Sequence, residues 1–323
     1  MIAFPEMMSQ IKNKFLIIIL GPTASGKTNA SIKIAKSFQT EIISADSRQF
    51  YKELKIGTAA PDHSQMSGII HHFIQTISVH EYFNVSMYEQ EVLKILNGLF
   101  LKKDLVVMVG GSGMYIDVVC HGIDDLPTID PKIREKLQKK FETEGIEELR
   151  SELEKRDPVY YKKADLNNPK RILKALEICV MTGTPYSSFL TQPRKQRPFK
   201  IIKIGLKPDR EELYNNINHR VDEMITRGLI EEARSLSCIR HLNALNTVGY
   251  KEMFDHLDGK ITLEEAVSLV KRNTRRYARR QLTWFNRDET ITWFTPGDIG
   301  AIIDFIRLEV GRKREAESVN GER

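Results

Sequence analysis

The chain has 323 residues, 41% of them hydrophobic, and a formal net charge of +6, which allows a sizeable core with two domains or one domain carrying a large insertion. Its first apolar run, Phe15 to Leu20, is shorter than a signal-peptide core and no other run approaches a membrane span, so a globular, cytoplasmic protein is expected. Cys120, Cys179 and Cys238 lack the close pairing of zinc ribbons or fingers and read as reduced thiols.

Phe15–Leu20 predicts a strand that runs into Gly21-Pro22-Thr23-Ala24-Ser25-Gly26-Lys27-Thr28. This is a Gly-x-x-x-x-Gly-Lys-Thr loop with the required strand before it and helical residues after it. Freed backbone N–H groups of such a loop converge on phosphate oxygens, Lys27 adds a point charge, and the Thr28 hydroxyl can ligate Mg²⁺. Residues 30–38 predict a helix and 41–45 a second strand that delivers Asp46. Open parallel sheets place ligands at the carboxyl ends of their strands, so Asp46 is expected beside the loop. There it can take a proton, help hold Mg²⁺, or merely cap the next turn.

His71 and His72 are adjacent, which is poor metal geometry, and they read as structural. A helix follows around 86–101, then a strand at 105–109 that closes in Gly110-Gly111-Ser112-Gly113 rather than in a Walker-B carboxylate. The missing acid counts against ATP hydrolysis. These glycines either let another molecule approach the backbone, with the Ser112 hydroxyl as a donor, or form a structural turn.

The alternation of strands and helices up to residue 127 is that of an α/β parallel sheet. From Asp130 the pattern becomes charged and helical, with a break at Gly145 and a helix framed by Asn168, Pro169 and Gly183. Residues 128–199 therefore predict a helical insertion closed by the loop 191–198. Residues 200–206 alternate like a returning strand, and Asp209 with Glu212 predicts a capped helix, its Leu213, Ile217, Val221 and Met224 inward, ending at Gly228. Arg220 on that helix is a candidate anion ligand. Between Lys271 and Arg287 stand seven Lys or Arg and no acid. As a helix, this stretch lines up Arg272, Arg275, Arg276, Arg279 and Arg280 as a basic stripe suited to a row of phosphates or simply to solvent, with Val270, Tyr277 and Trp284 toward the core. Residues 312–323 are charged, lack apolar spacing and are expected to be disordered.

With these residues identified, the chain resembles the tRNA dimethylallyltransferases, also called tRNA isopentenyltransferases, along nearly its whole length. The carriers are the loop at 21–28, Ser-Ala-Asp-Ser-Arg-Gln-Phe-Tyr at 44–51, Gly-Thr-Ala-Ala-Pro at 57–61 and His-His-Phe-Ile at 71–74. They continue with Gly-Gly-Ser-Gly-Met-Tyr at 110–115, Asn-Pro-Lys-Arg-Ile-Leu-Lys-Ala-Leu-Glu at 168–177, Val-Gly-Tyr-Lys-Glu-Met at 248–253 and Arg-Arg-Gln-Leu-Thr-Trp-Phe at 279–285. The fold so implied is α/β, a P-loop NTPase-like parallel sheet flanked by helices (1–127 and 200–311) with the helical insertion domain.

The resemblance implies transfer of a dimethylallyl group from dimethylallyl diphosphate to N6 of adenine 37 in tRNAs that read codons starting with U. Mg²⁺ is the implied cofactor and a monomer the expected working unit. On this reading residues 21–28 hold the diphosphate, Thr28 the metal, and Asp46, Thr28 and Arg220 carry the chemistry. Asp46, Ser47, Arg48, Gln49 and Ser112 would line the entry of the adenine. Arg134, Lys170, Arg171, Ile172, Leu173 and Lys174 would grip the anticodon stem-loop, together with Asn246, Thr247, Val248, Gly249, Tyr250, Lys251, Arg279, Arg280, Gln281, Leu282, Thr283, Trp284, Phe285 and Asn286. Ser112 stands where the family commonly has Thr, and Ala60 where it often has Lys. No zinc finger of the eukaryotic kind is seen, so the bacterial type is expected. The rival expectations are a small-molecule kinase, a relative that prenylates free adenine nucleotides, and an RNA-binding protein that only senses nucleotide.

Overall fold

The computed structural model describes residues 13–124, 126–127, 129–190 and 195–321, and side chains only as far as residue 315. The sequence-expected boundary at Thr128 and residues 191–194 of the closing loop lie outside them. The chain divides into a unit formed by residues 1–120 with 197–323 and a second unit formed by 121–196. The second unit thus runs a few residues earlier at both ends than the sequence pattern suggested.

In the first unit the elements are β1 (Phe15–Leu20), α1 (Lys27–Ser37), β2 (Ile42–Ser44), α2 (His63–Met66), β3 (His71–His72), α3 (Val85–Phe100), β4 (Leu105–Gly110) and α4 (Gly113–His121). The sheet is six-stranded, parallel throughout, in the order β3-β2-β4-β1-β5-β6, with β5 at Lys200–Leu206 and β6 at Ile291–Phe294. β1 is flanked by β4 and β5, and all six of its residues are buried. Continuous apolar sequence is what a strand covered on both faces requires.

The second unit holds α5 (Pro131–Arg156), α6 (Pro158–Tyr161) and α7 (Pro169–Thr182). α5 is broken at Gly145, whose φ of +80° departs from the helical range, and Asp130 caps its start. Leu137, Leu149, Leu153, Ile172, Ala175 and Leu176 form its core. Asn168 caps α7 and Gly183 closes it at φ +69°, as the Asn-Pro and Gly framing requires.

After β5 the chain builds α8 (Arg210–Thr226), α9 (Leu229–Ser235), α10 (Tyr250–Leu257), α11 (Leu263–Phe285) and, past β6, α12 (Ile299–Gly321). Asp209 caps α8 through the N–H groups of Glu211 and Glu212, and Leu213, Ile217 and Val221 are buried. α12 corrects the expected tail, because residues 312–321 are helical. Ile302 and Ile306 bury the start of α12 against β1 and α1, and Lys313 Nζ then donates to the Ile201 carbonyl at 3.1 Å. Arg314 pairs with Asp104 at 3.1 Å and lies over the Phe15 ring, so charge serves as the anchor that apolar spacing did not supply.

Candidate active site

β1 delivers Gly21, and Gly26 caps α1 in the left-handed region at φ +79°, so the loop between them wraps the first turn of α1. Lys27 folds back, its Nζ donating to the Pro22 carbonyl at 2.5 Å. From α8, Arg220 Nη1 donates to the Thr23 hydroxyl at 3.0 Å. Burial, with the Arg220 charge next, brings the Lys27 ammonium down to about 7, and Asp46 opposes the shift. Burial also lowers Arg220, against Asp46 and Glu223. Two cations crowded together in a buried site form a place prepared for an anion.

Asp46 leaves the carboxyl end of β2 and accepts the Arg48 N–H on Oδ1 at 3.0 Å. It does cap its turn, and it also stands on the wall of two chambers. The smaller, of about 260 Å³, is lined by residues 23–29 with Ser44, Asp46, Gln49 and His71. The larger, of about 420 Å³, is lined by Ser47, Arg48, residues 246–249, Lys251 and Arg280 among others. Thr23, Asp46, Thr58, Arg220 and Tyr277 belong to both walls. A carboxylate and a guanidinium therefore sit where an anion in one chamber would meet a second molecule in the other.

The glycine run after β4 is closely packed by the protein. A Cβ on Gly110 would lie 2.3 Å from the Ala45 carbonyl, one on Gly111 2.3 Å from Gln281 Nε2, and one on Gly113 2.2 Å from the Trp284 ring. The protein itself approaches this backbone, and Gly110 and Gly111 also line the smaller chamber. Gln281 is buried on α11 and joins two loops: its Oε1 accepts the Thr23 N–H at 2.9 Å and its Nε2 donates to the Gly111 carbonyl at 2.9 Å. Ser112 Oγ accepts the Ser47 N–H at 3.0 Å, tying the turn after β4 to the one carrying Asp46.

Of the residues read as tRNA contacts, Asp46, Ser47, Arg48, Asn246, Thr247, Val248, Gly249, Lys251 and Arg280 meet on the larger chamber. Gln49 instead donates to the carbonyls of Thr58 and Ala59 at 3.2 Å each. Tyr250, Gln281 and Phe285 are buried, and Leu282 packs against the cluster of Leu213, Ile217 and Ala278, so these four support the site from behind. The sequence pattern had assigned them to the RNA because they share a motif with exposed neighbours. In the second unit Ile172 and Leu173 belong to the core, Lys170 and Arg171 are exposed, Lys174 is half-buried, and Arg134 pairs with Glu177 at 2.8 Å. Arg279, Thr283, Trp284 and Asn286 are exposed on α11 or just past it. Trp284 departs from its expected core position: the buried seam of α11 is Ala266, Val270, Ala278, Gln281 and Phe285. Its indole N–H bonds Asp117 at 3.0 Å and Arg287 lies over its ring.

Tyr277, expected to serve only the core, was missed as a wall of both chambers; burial raises its phenol. Its spacing of four from Gln281 puts the two on one helical face, the signal that could have found it. Among the described residues no group of three or more His, Cys, Asp or Glu could hold a metal ion. Thr28 and Asp46 offer two hard oxygen donors in the smaller chamber, a set suited to an ion that completes its shell with substrate phosphates and water.

A family model described as IPP transferase matches residues 49–288. The chain is 52% identical over 294 residues to tRNA dimethylallyltransferase 1 of Bacteroides thetaiotaomicron, covering 91% of this chain and 96% of that protein. With the tRNA dimethylallyltransferase of Christiangramia forsetii the identity is 55% over 282 residues, 87% of this chain and 93% of that one. Among solved structures, the full-length tRNA isopentenylpyrophosphate transferase of Bacillus halodurans superposes with a TM-score of 0.71 at 37% identity, covering 95% of this chain and all of that one. A eukaryotic dimethylallyltransferase acting on tRNA gives a TM-score of 0.73 at 26% identity, covering 89% and 75%.

Proposed function

We propose how this chain, which belongs to the IPP transferase family, works: it is a tRNA dimethylallyltransferase that moves a dimethylallyl group from dimethylallyl diphosphate to N6 of adenine 37 and releases diphosphate. The observation that carries this reading is the junction at Asp46 and Arg220, shared by a chamber built on the phosphate loop and one lined by the Asn246–Gly249 turn.

The smaller chamber takes the diphosphate. Loop N–H groups, Lys27 and Arg220 neutralise it as the allylic C–O bond breaks and its electron pair leaves with the phosphate. Thr28, with Asp46 on the same chamber, would hold a Mg²⁺ ion, which would supply further positive charge to the leaving group. The adenine leaves its stack to enter the larger chamber, whose volume of about 420 Å³ is within the usual range of ligand pockets. Its N6 lone pair forms the new bond to the allyl carbon, and Asp46 takes the N6 proton. An exocyclic amine is a weak nucleophile, so alignment of N6 against the ionising carbon matters more than the strength of the base.

In the first unit the anticodon stem-loop is gripped by the exposed cations Lys251, Arg279 and Arg280. Among the described residues no helix is long and apolar enough to cross a membrane, and we place the enzyme in the cytoplasm as a monomer. The test is incubation with Mg²⁺, labelled dimethylallyl diphosphate and unmodified tRNA. Label in the RNA at adenine 37 is expected; label in AMP but not in tRNA overturns the reading.

A further inference from the structure

Among the described residues, one buried side-chain nitrogen or oxygen has no hydrogen-bond partner, and it is Nε2 of His71. Native proteins satisfy nearly all such atoms, so an exception calls for a missing partner. β3 pairs with β2 through Ile42 and His71, and adjacent residues of a strand point to opposite faces. His72 is satisfied on its own side, with Nε2 at 2.7 Å from Glu41 Oε2. His71 lines the smaller chamber together with Lys27, Thr28 and Ser44. Its Nδ1 lies 2.9 Å from the Ile69 carbonyl, which can only accept, so Nδ1 carries the hydrogen and Nε2 is left with a bare lone pair.

Resting on the reading that this chamber takes the diphosphate, we propose that His71 is a further ligand of that diphosphate, its Nε2 joined to a non-bridging phosphate oxygen through a shared proton. Both atoms are acceptors, so a bond between them needs a proton to share. Burial, and then the neighbouring His72, keep the imidazole below its usual range against the bond to Ile69. The charged and titratable groups on the same chamber are Lys27, Arg220, Asp46 and Tyr277, with His72 and its partner Glu41 on the strand side. Burial and His72 disfavour a proton on His71 until an anion enters. A bound diphosphate reverses that balance, and its entry draws a proton onto the pair.

The test is calorimetric titration of the full chain with inorganic pyrophosphate at about pH 6.5, where Lys27 already carries most of its proton. Two buffers of different ionisation enthalpy count the protons taken up. His71→Asn keeps an N–H for the Ile69 carbonyl and ends short of the chamber. His71→Gln reaches into it with a neutral N–H. His71→Asn is expected to bind about tenfold more weakly, the scale of one charge-assisted hydrogen bond, and to take up about one proton fewer than the unaltered protein. His71→Gln should regain most of the affinity without the proton. Unchanged affinity and an unchanged proton count in both variants overturn the proposal, as does weaker binding that merely follows a fall in melting temperature. Failure of the unaltered protein to bind pyrophosphate overturns instead the diphosphate reading of the chamber, and this inference with it.

Discussion

Arg220 reaches across 197 positions of sequence to set its Nη1 3.0 Å from Thr23 Oγ1, joining α8 to the phosphate loop. The guanidinium is mostly buried, and the bond to a neutral hydroxyl leaves its charge for a ligand. Arg220→Ala is expected to lower kcat about 10²- to 10³-fold, the usual loss for removing one preorganised donor to a developing anion. Arg220→Lys should recover little of it, because a point charge cannot hold both Thr23 and a phosphate oxygen. Single-turnover transfer from labelled dimethylallyl diphosphate measures the loss; a rate within threefold of normal would remove Arg220 from the chemistry.

Asp46 has two separable duties, which one substitution divides. Asp46→Asn keeps an oxygen to accept the Arg48 N–H at Oδ1 and loses the ability to take a proton. The turn should survive while turnover falls about 10²- to 10⁴-fold. Filter-binding of unmodified tRNA should change by no more than about threefold, as expected for a group that acts on the N6 proton and not on the phosphates. A parallel fall in binding and rate would show that Asp46 only shapes the chamber.

Gln281 is predicted to matter for stability and for substrate affinity together. Leucine at this position would leave the Thr23 N–H and the Gly111 carbonyl without a partner in a buried setting, and each orphan costs about 1–3 kcal/mol. Gln281→Leu should lose about 2–4 kcal/mol in urea denaturation and raise the KM for dimethylallyl diphosphate, because Thr23 shapes the loop. Gln281→Glu keeps the acceptor for Thr23 and loses the donor to Gly111, so its loss should be smaller on the loop side. An unaltered KM in the leucine variant would separate Gln281 from the phosphate loop.

The phosphate loop, β1, the parallel sheet and the position of Asp46 were legible because each depends on local order: an apolar run, fixed glycines, an acid at the end of a strand. What could not be read depends on residues distant in sequence. Glu232 accepts the N–H groups of Ile56 and Gly57 and the Tyr250 hydroxyl at 2.9 to 3.1 Å and 2.6 Å. It fixes the wall of the larger chamber at Gly57 and Thr58, yet in sequence it is one of two adjacent acids on a short helix. Tyr250, Gln281 and Phe285 lie inside motifs whose neighbours face outward, and a motif does not say which way each member points. The helical tail failed for the same reason, since Lys313 and Arg314 find their partners at Ile201 and Asp104.

Lys27 gives the enzyme a pH dependence whose sign follows from its environment. Its ammonium sits at about 7 in the folded chain against 10.5 for an unhindered lysine, so between those values the unfolded chain holds the proton and the folded chain has released it. Stability of the ligand-free protein should therefore rise with pH through that window, and below about 7 this gain is absent. Diphosphate binds the charged form and pulls the proton back, so its apparent affinity is highest below about 7 and weakens as pH rises above it. Lys27→Met should flatten both trends while weakening the ligand at every pH. The measurements are melting temperature without ligand and the Kd of pyrophosphate across the range, on both proteins. If neither stability nor affinity changed with pH through this window in the unaltered protein, Lys27 would keep its proton in the folded loop and this dependence would be absent.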